Sequence, residues 1–347
     1  MKKKLFIYYG GFRSVKGGVI SNSYALKKEF ENFFDVSLIC LDDLPFYIRY
    51  LPHFVEKTIN VFFMPAGFYY KGIVTKKLYK LFFSQKADYR IFQDIYLSWN
   101  SKTPSLTFMH AVWSDNLQQH NFKKKNLNYL KNKEIYTINN INHHLCTVSN
   151  PYRNFILKKH FSKKITKKIS VIELGTNIVL KKNKSPNKNS LIYVGALEAR
   201  KNIFFLIDVF HKLYKLDNTY TLTIIGSGPQ KYSLVQYANK LNLPINFLGS
   251  KKKNEVIDEL LKNRIYVHTS IKESFSLSML EAKMSGLITV ALKKIQIPKD
   301  FIDIGLKNFD VTQWYDKILK INYKLKKFNK KKYLLSNTVK KILYLLK

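Results

Sequence analysis

LIYVGALEARKN, residues 191–202, decides the architecture: an apolar run stops at Gly195, and two cations, Arg200 and Lys201, precede the helical pattern of Ile203–Tyr214. A short buried strand that turns through glycine into a helix is the repeating unit of a parallel sheet covered by helices. Downstream the unit recurs. Thr221–Ile225, Ile245–Leu248, Ile265–His268 and Leu287–Ala291 read as strands, with helices expected over Pro229–Leu241, Glu255–Leu261 and Phe275–Ser285.

Upstream of Leu191 the stretch LKKNKSPNKNS has almost no apolar content and reads as a linker over residues 181–190. Before it the alternation is present but less regular. Strands are expected at Leu5–Tyr9, Val36–Leu41, Asn60–Met64, Arg90–Phe92, Leu106–His110, Leu145–Val148 and Ile169–Ile172. The expected fold class is therefore α/β, with two doubly wound, Rossmann-like domains (residues 1–180 and 191–311) facing across a cleft. Ligands bind at the carboxyl ends of such strands, so the shared site is expected in that cleft. A basic, helix-patterned tail, residues 312–347, is expected to pack back toward the first domain.

The charge is the compositional outlier. Sixty Lys and Arg against 23 Asp and Glu give a formal +37, spread along the whole chain. Two readings stay open: compositional drift in a chain also rich in Asn and Ile, or attraction to polyanions such as nucleic acid, anionic lipid or phosphorylated substrates. Two cysteines without paired spacing, Cys40 and Cys146, argue against a disulfide framework or cysteine-rich zinc site and suit a reducing compartment. The lysines and apolar run at residues 2–9 resemble a signal peptide, but Gly10-Gly11 and Arg13 break the run, and a first buried strand is expected instead. No stretch reaches the ~20 apolar residues that span a bilayer. A soluble or peripheral protein is expected.

Chemistry concentrates in KESFSLSMLEA, residues 272–282. Glu273 lies in the loop after a strand, and Glu281 follows eight residues later on the next helix. Ser274 and Ser276 are capping residues, and a helix N-terminus with free N–H groups accepts a diphosphate. Arg200 and Lys201, at another strand-to-helix turn, can reach a phosphate leaving group. Gly226-Ser227-Gly228-Pro229 marks a third tight turn. Each feature alone is also what an ordinary capped helix, solvated basic residues or a common βα turn looks like. Their order on successive strands is the discriminating observation.

In that order, IYVGALEARKN, TLTIIGSGP, INFLGS and KESFSLSMLEAKMSG resemble glycosyltransferase family 4, the retaining enzymes of the GT-B fold, bacterial surface-polysaccharide types among them. The resemblance runs from about Leu191 to Ala291. It implies that Arg200 and Lys201 hold the donor diphosphate, that Glu281 binds the ribose and that Glu273 lies by the donor sugar, with Gly226, Ser274, Phe275, Ser276 and Leu277 lining the donor site. Gly17 and Gly18 match the family's glycine loop, and His110 its histidine near the donor sugar. Glu273, His110 and Lys201 are the candidate catalytic residues. Two departures stand out: Ala196 where the family often has arginine, and serine for both glycines of EGFGL.

The resemblance implies transfer with retention from a UDP- or GDP-sugar to a lipid-linked or polysaccharide acceptor in cell-surface glycan synthesis, including lipopolysaccharide, on the inner face of the cytoplasmic membrane. No cofactor is expected, and the lack of any Asp-x-Asp pair argues against a metal-bridged diphosphate. The partners expected are the donor, the acceptor and an anionic membrane, to which Lys71–Phe83 and Tyr152–Lys168 contribute lysines and large apolar residues. Nucleic acid is not expected, since no RNP aromatic pair or zinc framework occurs. A basic nucleic-acid-binding protein and a different GT-B enzyme, such as a nucleotide-sugar epimerase, are the competing readings.

Overall fold

The computed structural model describes residues 2–15, 17–116, 122–178, 187–321 and 328–347. Most of the expected linker, residues 181–186, lies outside them. By their internal contacts the residues form two compact units, Met1–Gly175 with Lys332–Lys347, and Thr176–Lys331.

Unit 1 holds strands β1 (Lys4–Tyr8), β2 (Asp35–Ile39), β3 (Tyr89–Phe92), β4 (Ser105–Met109), β5 (His144–Thr147) and β6 (Ile169–Val171). They are parallel, in the order β2-β1-β3-β4-β5-β6. Helices α1 (Gly18–Phe30), α2 (Leu51–Phe63), α3 (Gly67–Phe83), α4 (Trp113–Asn116), α5 (Lys124–Asn139) and α6 (Asn150–Phe155) connect them. The strands read as short apolar runs because both sheet faces are covered.

Unit 2 repeats the plan with β7 (Ser190–Val194), β8 (Thr221–Ile225), β9 (Ile245–Gly249), β10 (Ile265–His268), β11 (Ile288–Leu292) and β12 (Ile304–Leu306). Its helices are α7 (Ile203–Leu216), α8 (Lys231–Lys240), α9 (Lys253–Lys262), α10 (Leu277–Met284) and α11 (Val311–Leu319). The order is β12-β11-β10-β7-β8-β9, all parallel. The order in which successive strands are added reverses where β7 meets β10, and Leu206, Phe210 and Leu213 of α7 share one core cluster with Trp314 of α11. Such a switch point opens a crevice at the carboxyl ends of the two strands.

The last helix, α12 (Leu335–Leu346), belongs to unit 1 and packs on α1 and β4. Thr338 Oγ1 donates to Glu173 O at 2.9 Å, and Lys332 pairs with Glu173 at 3.1 Å. A Cβ on Gly175 would lie 2.7 Å from the Leu334 backbone, so the returning chain fits only over glycine.

Three expectations are corrected. Asn60–Met64 is no strand: Asn60–Phe63 close α2, and the apolar run there is the exposed end of a helix. Tyr152–Lys168 is no continuous amphipathic helix, because α6 passes into one π-helical stretch, Ile156–His160, and Ser162 and Lys163 take positive φ. Its Tyr152, Ile156 and Phe161 are core residues. The helical tail is interrupted, with α11 in unit 2 and α12 in unit 1.

A buried polar knot fixes the segment after β4. Glu134 of α5 is fully buried and accepts from Tyr96 Oη at 2.7 Å, from Ser114 N at 3.1 Å and from Ser114 Oγ. His160 Nε2 lies 2.7 Å from the same Oγ. Burial pushes the Glu134 carboxyl from 4.5 up to about 7, against the donations from Ser114 and Tyr96. The folded state therefore holds a proton there that the unfolded state releases at lower pH. That stabilisation is complete below 4.5 and is lost as pH rises through about 7. Glu134→Gln keeps the shape of the protonated acid. The thermal midpoint of the wild type is expected to fall relative to this variant between pH 5 and 8, as read by calorimetry; parallel curves would refute the assignment.

Candidate functional site

The switch point of unit 2 gathers the charged residues singled out in the sequence. After β7 the chain turns through Gly195 into a 3-10 turn, Ala199–Lys201, and enters α7 from Asn202 in the left-handed conformation (φ 51°). Two bonds tie that turn to the end of β10: Thr269 Oγ1 donates to Lys201 O at 2.8 Å and Ile271 N to Arg200 O at 2.9 Å. The cations and Glu273 thereby share one crevice.

Lys201 Nζ donates to Glu273 Oε1, and both side chains are nearly buried. Arg200 is more exposed. Its guanidinium lies 3.8 Å from Glu273 and bonds Glu198 at 2.7 Å. Burial raises the Glu273 carboxyl, but Lys201, then His268 and Arg200, outweigh it and hold the group down at about 2. Glu273 is thus ionised across the physiological range. Two cations face two carboxylates, Glu273 buried in the crevice and Glu198 at its rim.

Helix α10 completes the site. Ser276 caps it, its side chain accepting from Met279 N, and sits at φ 66°. That left-handed geometry is where the resembling family has glycine, so the serine carries backbone strain of about 1 kcal/mol. The amides of Leu277 and Ser278 are among the four that a helix cannot satisfy internally. Glu281, one turn further in, pairs with Lys253 of α9 at 3.0 Å, and the same ammonium donates to Thr176 Oγ1 at 3.1 Å.

Other expected residues are placed differently. Phe275 is a core side chain, 3% exposed and edge-on to Phe301 at 5.2 Å, so only its backbone is available to a ligand. Gly226 serves a packing need. At φ +148°, an added Cβ would stand 1.8 Å from Gly195 O. This close approach binds the β7 and β8 turns together, where Gly195 N donates to Ile225 O and Leu197 N to Ser227 O.

Gly17, Gly18 and His110 lie in unit 1. Gly17 precedes α1, and a Cβ there would meet no described atom within 4 Å, so no protein neighbour demands the glycine. His110 follows β4. Its ring stacks on Phe108 and its Nε2 lies 2.7 Å from Gln93 Oε1, at the end of β3. Burial pushes the imidazole down to about 4, so it is neutral, Nε2–H donates to the Gln93 oxygen, and Nδ1 keeps its lone pair.

Sequence reasoning missed three residues. Gln93 orients His110; Lys253 partners Glu281; His268 ends β10 beside Glu273. His268 could have been found from its place at a strand's carboxyl end. Nothing in the spacing marks Lys253 among sixty basic residues.

The group 1 glycosyl transferase family model matches residues 176–333, just under half of the chain and the whole of unit 2. Among curated proteins, the phosphatidylinositol N-acetylglucosaminyltransferase gpi3 subunit of Schizosaccharomyces pombe is 25% identical over 173 residues. That covers 47% of this chain and 37% of the relative, so the chain spans well under two thirds of that relative's length. Among solved structures, TarM superposes with a TM-score of 0.72 at 15% identity, over 99% of this chain and 98% of that one. Anabaena HepE, solved with UDP and glucose, gives 0.63 at 14% identity over 100% and 99%. At these identities the structural likeness speaks to the fold alone. This chain has the GT-B fold, and its second unit carries the pattern of the group 1 glycosyl transferases.

Proposed function

We propose that this chain is a metal-independent, retaining glycosyltransferase that moves a sugar from a UDP- or GDP-sugar to a lipid-linked or polysaccharide acceptor at the cytoplasmic face of an anionic membrane, in cell-surface glycan synthesis. One observation carries the reading: Lys201, Arg200, Glu273 and the N-terminus of α10 converge at the switch point of unit 2. As the nucleoside diphosphate departs, negative charge grows on its β-phosphate while the sugar gains oxocarbenium character. Lys201, Arg200 and the amides of Leu277 and Ser278 stabilise that charge, and being fixed beforehand they need little reorganisation. Ser274 and Ser276 hold the loop that presents those amides.

Glu281, a largely buried acceptor, takes the ribose hydroxyls, and Glu273 faces the donor sugar. For unit 1 the proposal keeps His110 as a catalytic residue and Gly17 and Gly18 as donor-binding residues. The departing phosphate takes the acceptor's proton, which accounts for retention without a second carboxylate across the scissile bond. HepE bound to UDP and glucose and the gpi3 relative, whose name gives a phosphatidylinositol acceptor, support this donor and acceptor chemistry.

The membrane part of the reading draws on α2. Phe54, Val61, Phe62 and Phe63 are each more than 60% exposed, as are Phe46 and Tyr47 before the helix. Between Pro45 and Lys86 the only acidic residue is Glu56, paired with Lys71, against seven Lys and Arg. Aromatic side chains projecting from a basic surface fit an interfacial helix on anionic lipid. The expected Lys71–Phe83 is part of α3, which buries Gly72, Thr75 and Tyr79 and exposes Leu81 and two lysines. It contributes charge more than insertion.

Lys201→Ala, checked for native fold by circular dichroism, is expected to lower transfer by about 100-fold or more; near-normal turnover would remove the pair from the chemistry. Glu281→Ala is expected to weaken UDP or GDP binding in calorimetry, with Glu273→Ala acting mainly on turnover. EDTA is expected to leave activity unchanged, and a loss restored by Mg²⁺ or Mn²⁺ would refute metal independence. The protein is expected to sediment with anionic but not neutral liposomes, to dissociate as salt rises, and to bind less when Phe54 and Phe62 are both replaced by serine.

A further inference from the structure

His268 is the unexplained group of the site. It ends β10, is 2% exposed, and neither ring nitrogen has a hydrogen-bond partner among the described residues. A buried polar group without a partner is destabilising and uncommon in a folded protein. Its Nε2 nevertheless stands 3.8 Å from Glu273 Oε1, just beyond hydrogen-bonding reach. The ring stacks on Tyr266 of the same strand, and Ala291 is its neighbour on β11. The charged groups acting on it are Glu273 from the loop after β10 and Lys201 and Arg200 from the turn after β7. Burial first, then the two cations, hold the imidazole near 4 against the pull of Glu273, so it is neutral in the empty site.

Glu273 is satisfied in that state because Lys201 bonds it. A diphosphate in the crevice changes the balance. It adds at least two negative charges beside the same ammonium, so Lys201 must divide itself between phosphate and carboxylate. Glu273 then stays buried with less counter-charge, and a second donor becomes strongly favourable.

We propose that His268 is a positioning residue acting through Glu273: when a nucleoside diphosphate draws Lys201 onto its phosphates, the imidazole takes one proton from solvent and donates Nε2–H to the carboxylate. The protonated ring replaces the cation that the ligand removed, and holds Glu273 in place beside the donor sugar. The inference rests on the reading of Lys201 as a diphosphate ligand. It adds a proton to donor binding and assigns a role to a residue that touches neither nucleotide nor sugar.

The test is titration calorimetry of UDP and of GDP into the full chain at pH 7, in buffers of differing ionisation enthalpy. The slope of binding enthalpy against buffer enthalpy counts the protons taken up. Each nucleotide's own phosphate titration enters wild type and variant alike. Wild type is expected to take up about one proton more than His268→Gln, which keeps a neutral donor but cannot be protonated. Equal proton counts in two proteins that both bind would overturn the proposal while leaving the diphosphate reading intact. Binding of neither nucleotide to wild type would overturn both. Should His268→Gln fail to fold, NMR of the unaltered protein decides: the His268 Cε1–H resonance is expected to move to its protonated position on UDP addition, and a resonance that stays neutral in the complex overturns the proposal.

Discussion

The buried contact between Lys201 and Glu273 is the constraint on which the geometry of the crevice depends. Two opposite charges taken out of water are costly to hold, and losing either partner leaves the other buried and uncompensated, at about 3–5 kcal/mol. The pair therefore locks the turn after β7 to the loop after β10 across the point where the strand order reverses. The backbone bonds from Thr269 and Ile271 reinforce the same junction. A site built this way has its cations in position before any ligand arrives. Stability is spent on placement.

The same logic recurs behind the site. Lys283, on the buried side of α10, donates to both oxygens of Asp303 at 2.7 Å, and Asp303 also accepts from Thr289 N at 2.9 Å. Lys330 Nζ reaches Met284 O at 2.9 Å near the end of the helix. A fully desolvated ion pair thus anchors the rear of α10 to β11 and β12, while its front presents Glu281. Left-handed Ser276 sets the angle at which the chain enters that helix. Position at the front comes from bonds at the back.

The second sheet was legible because its central strands are covered on both faces and read as bounded apolar runs. Five of its strands fall where the sequence places them within a residue or so. The sixth, Ile304–Leu306, is three residues long with a glycine at its centre, too short to carry a period. The first half was harder, and Asn60–Met64 shows why. An apolar run marks burial in a strand only if something buries it, and at the end of α2 nothing among the described residues does. That Arg200, Lys201 and Glu273 stand at neighbouring turns was legible from their place after successive apolar runs. His268 and Lys253 were not, because their roles depend on partners from other elements that only the fold brings near. Phe275 and Gly226 sit in the expected motifs, yet the first fills the core and the second lets two backbones touch.

The return of α12 to unit 1 bears on how the chain is made. Ribosomes release sequence from the amino end, and domains ordinarily fold as they emerge. Here the surface that α1 and β4 offer to α12 stays uncovered until the whole of unit 2 has been synthesised. Closing so large a loop adds little to the equilibrium cost, since that cost grows only logarithmically with length. In time it adds a waiting period, during which the nascent amino-terminal unit leaves an apolar flank exposed to water. Val339, Ile342 and Leu346 then complete a domain whose first strand left the ribosome well before them.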